Sequence, residues 1–311
     1  MEYRKLGNSG LDVSAIGLGT NNFGRRVDQA GTSRVLDQAL EEGVTFIDTA
    51  NIYGSGQSEE YIGKAIEEKR DQYILATKTA MKVDNGPNGI GASRHHLFRE
   101  VEKSLTRLRT DYIDLYQIHR ADPNTPIEET MHALDQLVAQ GKVRYVGCSN
   151  YASWELCEAI WTSRTRNLVP FVTLQPRYSM LDRGIESELV PFCKTYGIGI
   201  LPYFPLANGF LTGKYRRGEA APEGTRLAEN DRGMFTDANF DILEGLEAFA
   251  KERGHTVLDL AFAWLLANPA VTSVIAGATK PGQVTSNAAT VGWLLSDEEM
   301  SEIDTILSGG D

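Results

Sequence analysis

Short apolar runs alternate along this chain with longer stretches whose apolar residues recur at helical spacing. Eight runs read as β-strands: AIGLG (15–19), TFID (45–48), YILAT (73–77), YIDLYQI (112–118), YVGCS (145–149), FVTLQ (171–175), IGILPY (198–203) and SVIAG (273–277). The stretches between them read as amphipathic helices. In 33–43, Val35, Leu36, Ala39 and Leu40 share one face and Gly43 ends the helix. The stretch 58–68 opens on Ser58 as a cap followed by acids. In 93–108, Ser93 caps a helix that repeats Leu97, Val101, Leu105 and Leu108. Further helices are predicted over 126–141, 152–164, 187–197, 240–254, 256–268, 281–295 and 296–307, with Pro191 set against the third of these. Ahead of all this, YRKLG and LDVS flank Asn8, Ser9 and Gly10 as a small hairpin.

Eight strand–helix repeats predict a (β/α)8 TIM barrel: parallel strands, an N-terminal β-hairpin, extra C-terminal helices, and one domain over residues 1–311. An open doubly wound sheet is the rival. It would place a glycine-rich phosphate loop after the first strand, and GLGTNNFG (17–24) lacks the GxGxxG spacing. Two long connections, 79–92 and 204–239, are expected at the active face as lids or specificity elements. Composition supports a globular chain, at 41% hydrophobic and 23% charged residues. The net charge of −11 argues against a general nucleic-acid surface or attraction to anionic lipid. No apolar run approaches the roughly 20 residues that span a bilayer. Three cysteines without paired spacing, and no apolar signal core in MEYRKLGNSG, predict a cytoplasmic protein with free thiols.

The candidate chemistry lies just past the apolar runs. Asp48 and Tyr53 fall in FIDTANIYG (46–54), Lys78 ends YILATK (73–78) and His119 ends YIDLYQIH (112–119). Strand ends of a parallel barrel converge on one face, so these four side chains meet there. Together they suit acid–base chemistry at a carbonyl. Lys78 would lower the phenol pKa of Tyr53, Asp48 would hold Lys78 charged, and His119 would hydrogen-bond the carbonyl oxygen. No serine or cysteine sits beside a base, so the attacking group must come from a cofactor, and hydride from a nicotinamide is the natural candidate. A Schiff-base role for Lys78 would need a neutral lysine, which Asp48 opposes. A metal-dependent hydrolase is disfavoured because His95 and His96 are adjacent on one helix and point apart.

These residues resemble the aldo-keto reductase family. The resemblance runs through LGNSGLDVSAIGLGT (6–20), GVTFIDTANIYGSGQSEEYIGKAI (43–66), YILATK, the segment 112–151, LPYFPLANGFLTGKY (201–215) and SVIAGATKPGQVTSNAA (273–289). In detail it is most similar to the bacterial branch, which includes relatives of potassium-channel β-subunits. The resemblance implies a catalytic tetrad of Asp48, Tyr53, Lys78 and His119, and reversible reduction of aldehydes or ketones to alcohols. It also implies NADPH/NADP+ lying extended across the barrel face, with NADH as a possible substitute. Gly19, Thr20, Asn21 and Asp48 would line the nicotinamide end. Ser149, Asn150 and Gln175 would hold the carboxamide, and Tyr203 would stack on the ring. Phe204, Pro205, Leu206, Ala207, Asn208, Lys214 and Arg226 would follow the pyrophosphate. Gly277, Thr279, Lys280, Gln283 and Asn287 would take the adenosine and 2′-phosphate end. Pro281 opens a helix there, and a helix N-terminus attracts phosphate, although neither Thr279 nor Gln283 is basic as in many relatives.

Phe23, Met81, Tyr151 and Trp154 are expected around an open substrate pocket. The expected partner is a small aldehyde, ketone or alcohol, with no nucleic acid, no membrane and no metal, and with oligomeric state open. The alternative within the same family is a slow-turnover NADPH-binding redox sensor or partner subunit.

Overall fold

A computed structural model describes residues 1–309. Strands β1 (Tyr3–Lys5) and β2 (Asp12–Ser14) form the antiparallel hairpin. Each of the eight apolar runs then overlaps one strand of a single parallel sheet, with β5 running on past residue 77 and β7 starting before residue 145. These are β3 (Ile16–Gly19), β4 (Phe46–Asp48), β5 (Ile74–Thr79), β6 (Ile113–Ile118), β7 (Val143–Ser149), β8 (Thr173–Gln175), β9 (Gly199–Ile200) and β10 (Val274–Gly277). Sequential strands are neighbours from β3 to β9, and β10 pairs with β3. The remaining seam closes through isolated bridges, Ile200 to Val271 and Tyr203 to Ile275. There Ile200 N donates to Ala270 O, Thr272 N to Ile200 O, and Ile275 N to Pro202 O. The chain is a (β/α)8 TIM barrel.

Helices α1 (Gln29–Glu41), α2 (Gln57–Ile66), α3 (Arg94–Leu108), α4 (Ile127–Ala139), α5 (Ser153–Arg166) and α6 (Leu189–Tyr196) follow β3 to β8 in turn. After β9 the chain makes a short α7 (Arg226–Glu229), then α8 (Asp237–Glu252) and α9 (Val257–Ala267). Helix α10 (Pro281–Ala288) follows β10, and α11 (Asp297–Leu307) lies against α8, tied by Arg253 to Glu299 and Glu302. No helix among the described residues is long and apolar enough to cross a membrane.

Several boundaries differ from the periodicity. Helix α1 starts at Gln29, because Asp28 accepts from Gly31 N and caps it before the apolar face begins. Ser58 is not a cap: Gly56, with φ of 97°, takes that position, and Ser58 is fully buried. Helix α10 stops at Ala288, well short of residue 295. Pro191 is tolerated because it sits in the first turn of α6, where its missing N–H breaks no intrahelical bond. Ser93 caps α3 as expected, accepting from His96 N.

Two apolar layers hold the barrel. The larger lies between the strands and the surrounding helices. The smaller fills the interior with Phe46, Ala76, Leu115, Leu201 and Ile275, and Leu6 and Val13 of the hairpin region pack beneath it. Glycine keeps the interior narrow: a Cβ on Gly17 would lie 2.7 Å from Ile275 Cδ1 and 3.0 Å from Phe46 Cδ1.

Outside the barrel, α2 and α3 touch at Gly63, where a Cβ would lie 2.3 Å from Arg107 O. Helix propensity alone would favour alanine there by about 1 kcal/mol. The backbone clash reverses that sign. Gly63→Ala is expected to destabilise the fold by about 1–3 kcal/mol in urea unfolding; a stabilised variant would mean that the two helices are not packed this closely.

Candidate active site

Side chains on a strand alternate faces, so the residue two after each interior core position points inward one step nearer the C-terminal face. From Phe46, Ala76, Leu115, Thr173 and Leu201 that step leads to Asp48, Lys78, Gln117, Gln175 and Tyr203. From Gly17, Gly147 and Ile275 it leads to Gly19, Ser149 and Gly277. The apolar core is thus overlaid by a layer of polar and glycine positions. Pairing register aligns Asp48 with Ala76, and Lys78 with Gln117. Lys78 lies within β5 rather than beyond it.

Lys78 is fully buried, and its Nζ donates to Asp48 Oδ2 at 2.7 Å and to Thr49 O at 2.8 Å. The other carboxylate oxygen, Asp48 Oδ1, accepts from Gln175 Nε2 at 2.8 Å and Gln117 Nε2 at 3.3 Å. Tyr53 opens a 310 turn (Tyr53–Gly56) between β4 and α2, and its Oη lies 3.5 Å from Lys78 Nζ. His119, the first residue past β6, meets the Tyr53 ring edge-on at 6.0 Å between centroids. All four tetrad candidates therefore converge.

Burial works against the Lys78 charge, but Asp48 and Tyr53 more than offset it and hold the ammonium above its usual range. The expectation that Lys78 lowers the Tyr53 pKa holds only for one contribution. Burial outweighs it, Asp48 adds to burial, and the phenol is raised above its ordinary value. Burial, then Lys78 and Arg120, push His119 down to about 3, so it is a neutral imidazole.

The remaining positions divide. Ser149 Oγ donates to Gln175 O, Asn150 Nδ2 donates to His119 O and Ser149 Oγ, and Tyr203 Oη donates to Asn150 Oδ1 at 2.8 Å. They form one connected rim beside His119. Thr20 is fully buried, with its hydroxyl donating to Asp48 O and joined to Ser58. Gln175 meets Asp48 rather than projecting freely. Gly277 ends β10, and Asn287 is buried on α10. Thr279 N and Oγ1 both donate to Gln283 Oε1, which folds Gln283 back over the start of α10 at Lys280 and Pro281.

Of the expected pocket lining, Phe23 is fully buried in the outer core, Tyr151 packs edge-on against Phe171, and Trp154 is 68% exposed on α5. Only Met81 is partly open in the long connection after β5. A cavity of about 810 Å³ opens at the opposite end of the barrel, by Arg4, Asn8, Cys193 and Thr272, away from Asp48 and Lys78. Among the described residues no group of three or more His, Cys, Asp or Glu could hold a metal.

A dinucleotide fits the rim. The loop after β9 takes left-handed φ at Phe204, Ala207, Asn208 and Gly209, which turns it into a cradle. Within it the buried Asn208 Oδ1 has no hydrogen-bond partner. Lys214 Nζ lies beside Gly209, and the Arg226 guanidinium covers the Phe204 ring at 5.1 Å. Gln117, which donates to Asp48, is the site contact that sequence reasoning missed. Its signal was its place two residues before His119, facing inward on β6.

The sequence profile of the aldo/keto reductase family matches residues 15–308. Aldo-keto reductase YhdN of Bacillus subtilis is 40% identical over 99% of this chain and 94% of its own length. L-glyceraldehyde 3-phosphate reductase of Escherichia coli K12 is 35% identical, covering 100% of this chain and 94% of its own. A probable voltage-gated potassium channel subunit beta of Oryza sativa is 35% identical, covering 99% and 97%.

Removing one partner of a buried pair strands the other. Lys78→Met is expected to lower stability by about 3–5 kcal/mol in chemical denaturation, and adding Asp48→Asn should restore part of it; a loss below about 1 kcal/mol would mean that solvent screens the pair. His119 has a folded pKa of about 3, below its usual 6.5. The fold therefore disfavours its proton, and its contribution to stability is lost as pH falls below 6.5 toward 3. In NMR titration the His119 ring should stay neutral at pH 5, and a midpoint near 6.5 would contradict the burial described.

Proposed function

The chain belongs to the aldo/keto reductase family, and we propose that it reduces aldehydes or ketones to alcohols, reversibly, with Tyr53 as proton donor and NADPH as cofactor. The single observation that carries this reading is the buried Asp48–Lys78 pair set beneath the Tyr53 hydroxyl and the neutral His119 ring. When bound, the cofactor supplies hydride to the carbonyl carbon. Everything else falls to the chain's own groups.

Tyr53 holds its proton at Oη across neutral pH because burial raises its pKa. It gives that proton up when negative charge develops on the carbonyl oxygen. The Lys78 ammonium, 3.5 Å away, then stabilises the phenolate left behind. Asp48 keeps Lys78 oriented and charged, and the neutral His119 hydrogen-bonds the same oxygen without competing for its proton. Gly19, Asn150, Ser149 and Tyr203 would receive the nicotinamide end. Phe204 to Asn208, with Lys214 and Arg226, would receive the pyrophosphate, and Gly277 to Gln283 with Asn287 the adenosine end. NADP(H) is the family's usual cofactor. A reducing, cytoplasmic setting is in keeping with the unpaired Cys148, Cys157 and Cys193.

Tyr53→Phe tests the acid role. Reduction of a test aldehyde, followed by NADPH absorbance, should fall by about 10²–10⁴-fold, with NADPH affinity by fluorescence changed little. Retained turnover would remove Tyr53 from that role. Because the phenol pKa is raised above its ordinary 10.0, the reduction rate of the wild-type protein should not fall with rising pH until the alkaline range above that value; a fall centred near pH 7 would put the acid elsewhere.

A further inference from the structure

Helix α3 buries a carboxylate that its apolar face does not call for. Leu97, Val101, Leu105 and Leu108 are buried along that helix, and Glu100 is buried with them, with 2% of its side chain exposed. Its Oε1 accepts from Arg99 Nε at 3.1 Å and Lys103 Nζ at 2.9 Å, two cations that stay partly exposed. Its Oε2 accepts from the buried Asn51 Nδ2 at 3.0 Å. Burial opposes the charge, but bonds from Lys103 and Asn51 outweigh it and hold the carboxyl below its ordinary range. A buried carboxylate is a poor source of stability, since an apolar side chain of like volume often serves as well. What Glu100 adds is a fixed direction for Asn51.

Asn51 is the one polar side chain between Thr49 and Tyr53. Its backbone N–H donates to Lys78 O at 3.1 Å. One residue thus ties this stretch to β5 by its backbone and to α3 by its side chain. Tyr53 N donates back to Ala50 O at 3.0 Å, so the phenol rides on a turn that begins in the pinned stretch. Past Tyr53 the backbone is left-handed at Gly54, Ser55 and Gly56, with φ of 57°, 58° and 97°. Ser55 carries a side chain in that region, and such a conformation persists only where its surroundings fix it. The contact of Tyr53 Oη with Lys78 Nζ is long for a hydrogen bond, at 3.5 Å, and holds the ring weakly. The height of the phenol over Lys78 is therefore set from behind, by the segment that Asn51 anchors.

We infer that Glu100 is a positioning residue for the reaction: through Asn51 it sets the Tyr53 turn and so aims the phenol at the carbonyl oxygen. The inference rests on the carbonyl-reductase reading above. Its test is steady-state reduction of 4-nitrobenzaldehyde, followed by NADPH absorbance. Glu100→Met fills the same space but leaves Asn51 unheld. It should lower kcat by about ten- to a hundredfold, with KM and NADPH affinity by fluorescence changed less than about twofold. Its urea midpoint should stay near that of the wild type, because Arg99 and Lys103 remain hydrated. Asn51 Oδ1 has no partner, so the amide can turn to accept from a glutamine at position 100. Glu100→Gln should therefore recover most of kcat. Asn51→Ala should reproduce the Glu100→Met loss, and the two together should be no worse than either alone. A folded Glu100→Met protein with the wild-type kcat overturns the inference and leaves the reductase reading intact. So do a loss that Glu100→Gln shares in full and losses that add in the double variant. Should Glu100→Met not fold, Asn51→Ala decides: a fall in kcat at constant KM supports the inference, and an unchanged kcat overturns it. A wild-type protein that reduces neither this aldehyde nor any other test carbonyl would overturn the reductase reading and this inference with it.

Discussion

The site depends on keeping a lysine and an aspartate charged where water cannot reach them. At 2.7 Å and an effective dielectric of about 20, the attraction between Lys78 and Asp48 is worth about 6 kcal/mol. Desolvation takes back several kcal/mol for each ion. The pair alone therefore comes close to break-even, and the surrounding hydrogen bonds decide the outcome. Asp48 Oδ1 receives two amide donors, Gln117 and Gln175, while Lys78 gives a second proton to Thr49 O. The backbone helps as well: Thr20 N donates to Asp48 O, and Asn51 N donates to Lys78 O. Each lone pair or proton satisfied this way is one that would otherwise call for water.

The barrel makes that saturation possible. Parallel strands in fixed register place β4, β5, β6 and β8 residues at one level, so groups far apart in sequence share one carboxylate. The same period of two that sets Phe46, Ala76 and Leu115 into the interior core sets Asp48, Lys78 and Gln117 just above it. Glycines hold the matching positions of β3 and β10, where a Cβ on Gly19 would lie 3.1 Å from Ile275 Cγ2.

This explains what could be read from the chain in advance. Strand number and order were legible, because eight apolar runs bounded by turn residues repeat the same unit. The tetrad candidates were legible because polar residues interrupt or end those runs abruptly. Gln117 was harder to see, since YIDLYQI reads as a strand and a glutamine in it looks like an ordinary alternation. Ser58 misled for a different reason. Its position before acids fits a helix cap, but its hydroxyl is held by Thr20 and Thr49 from two strand ends, contacts that only the closed barrel creates. Phe23 and Tyr151 likewise look like pocket aromatics in sequence, yet helix packing draws them into the outer core. The ion pair of Arg26 with Glu229 joins the loop after β3 to α7, a proximity that no local pattern encodes.

Tyr53 shows why burial and charge must be weighed together. A cation beside a phenol lowers its pKa, and from sequence Lys78 seemed sufficient to make Tyr53 a stronger acid. But the same enclosure that strengthens the Lys78 interaction also penalises the phenolate, and Asp48 adds its own repulsion. The balance keeps the proton on Tyr53 in the resting site. A group that is hard to ionise at rest, beside a cation that can receive the new charge, loses its proton only when the reaction demands it. On the proposed reading such an acid would not need to titrate near neutrality to work there, because Lys78 would stabilise the phenolate in the transition state rather than in the resting site.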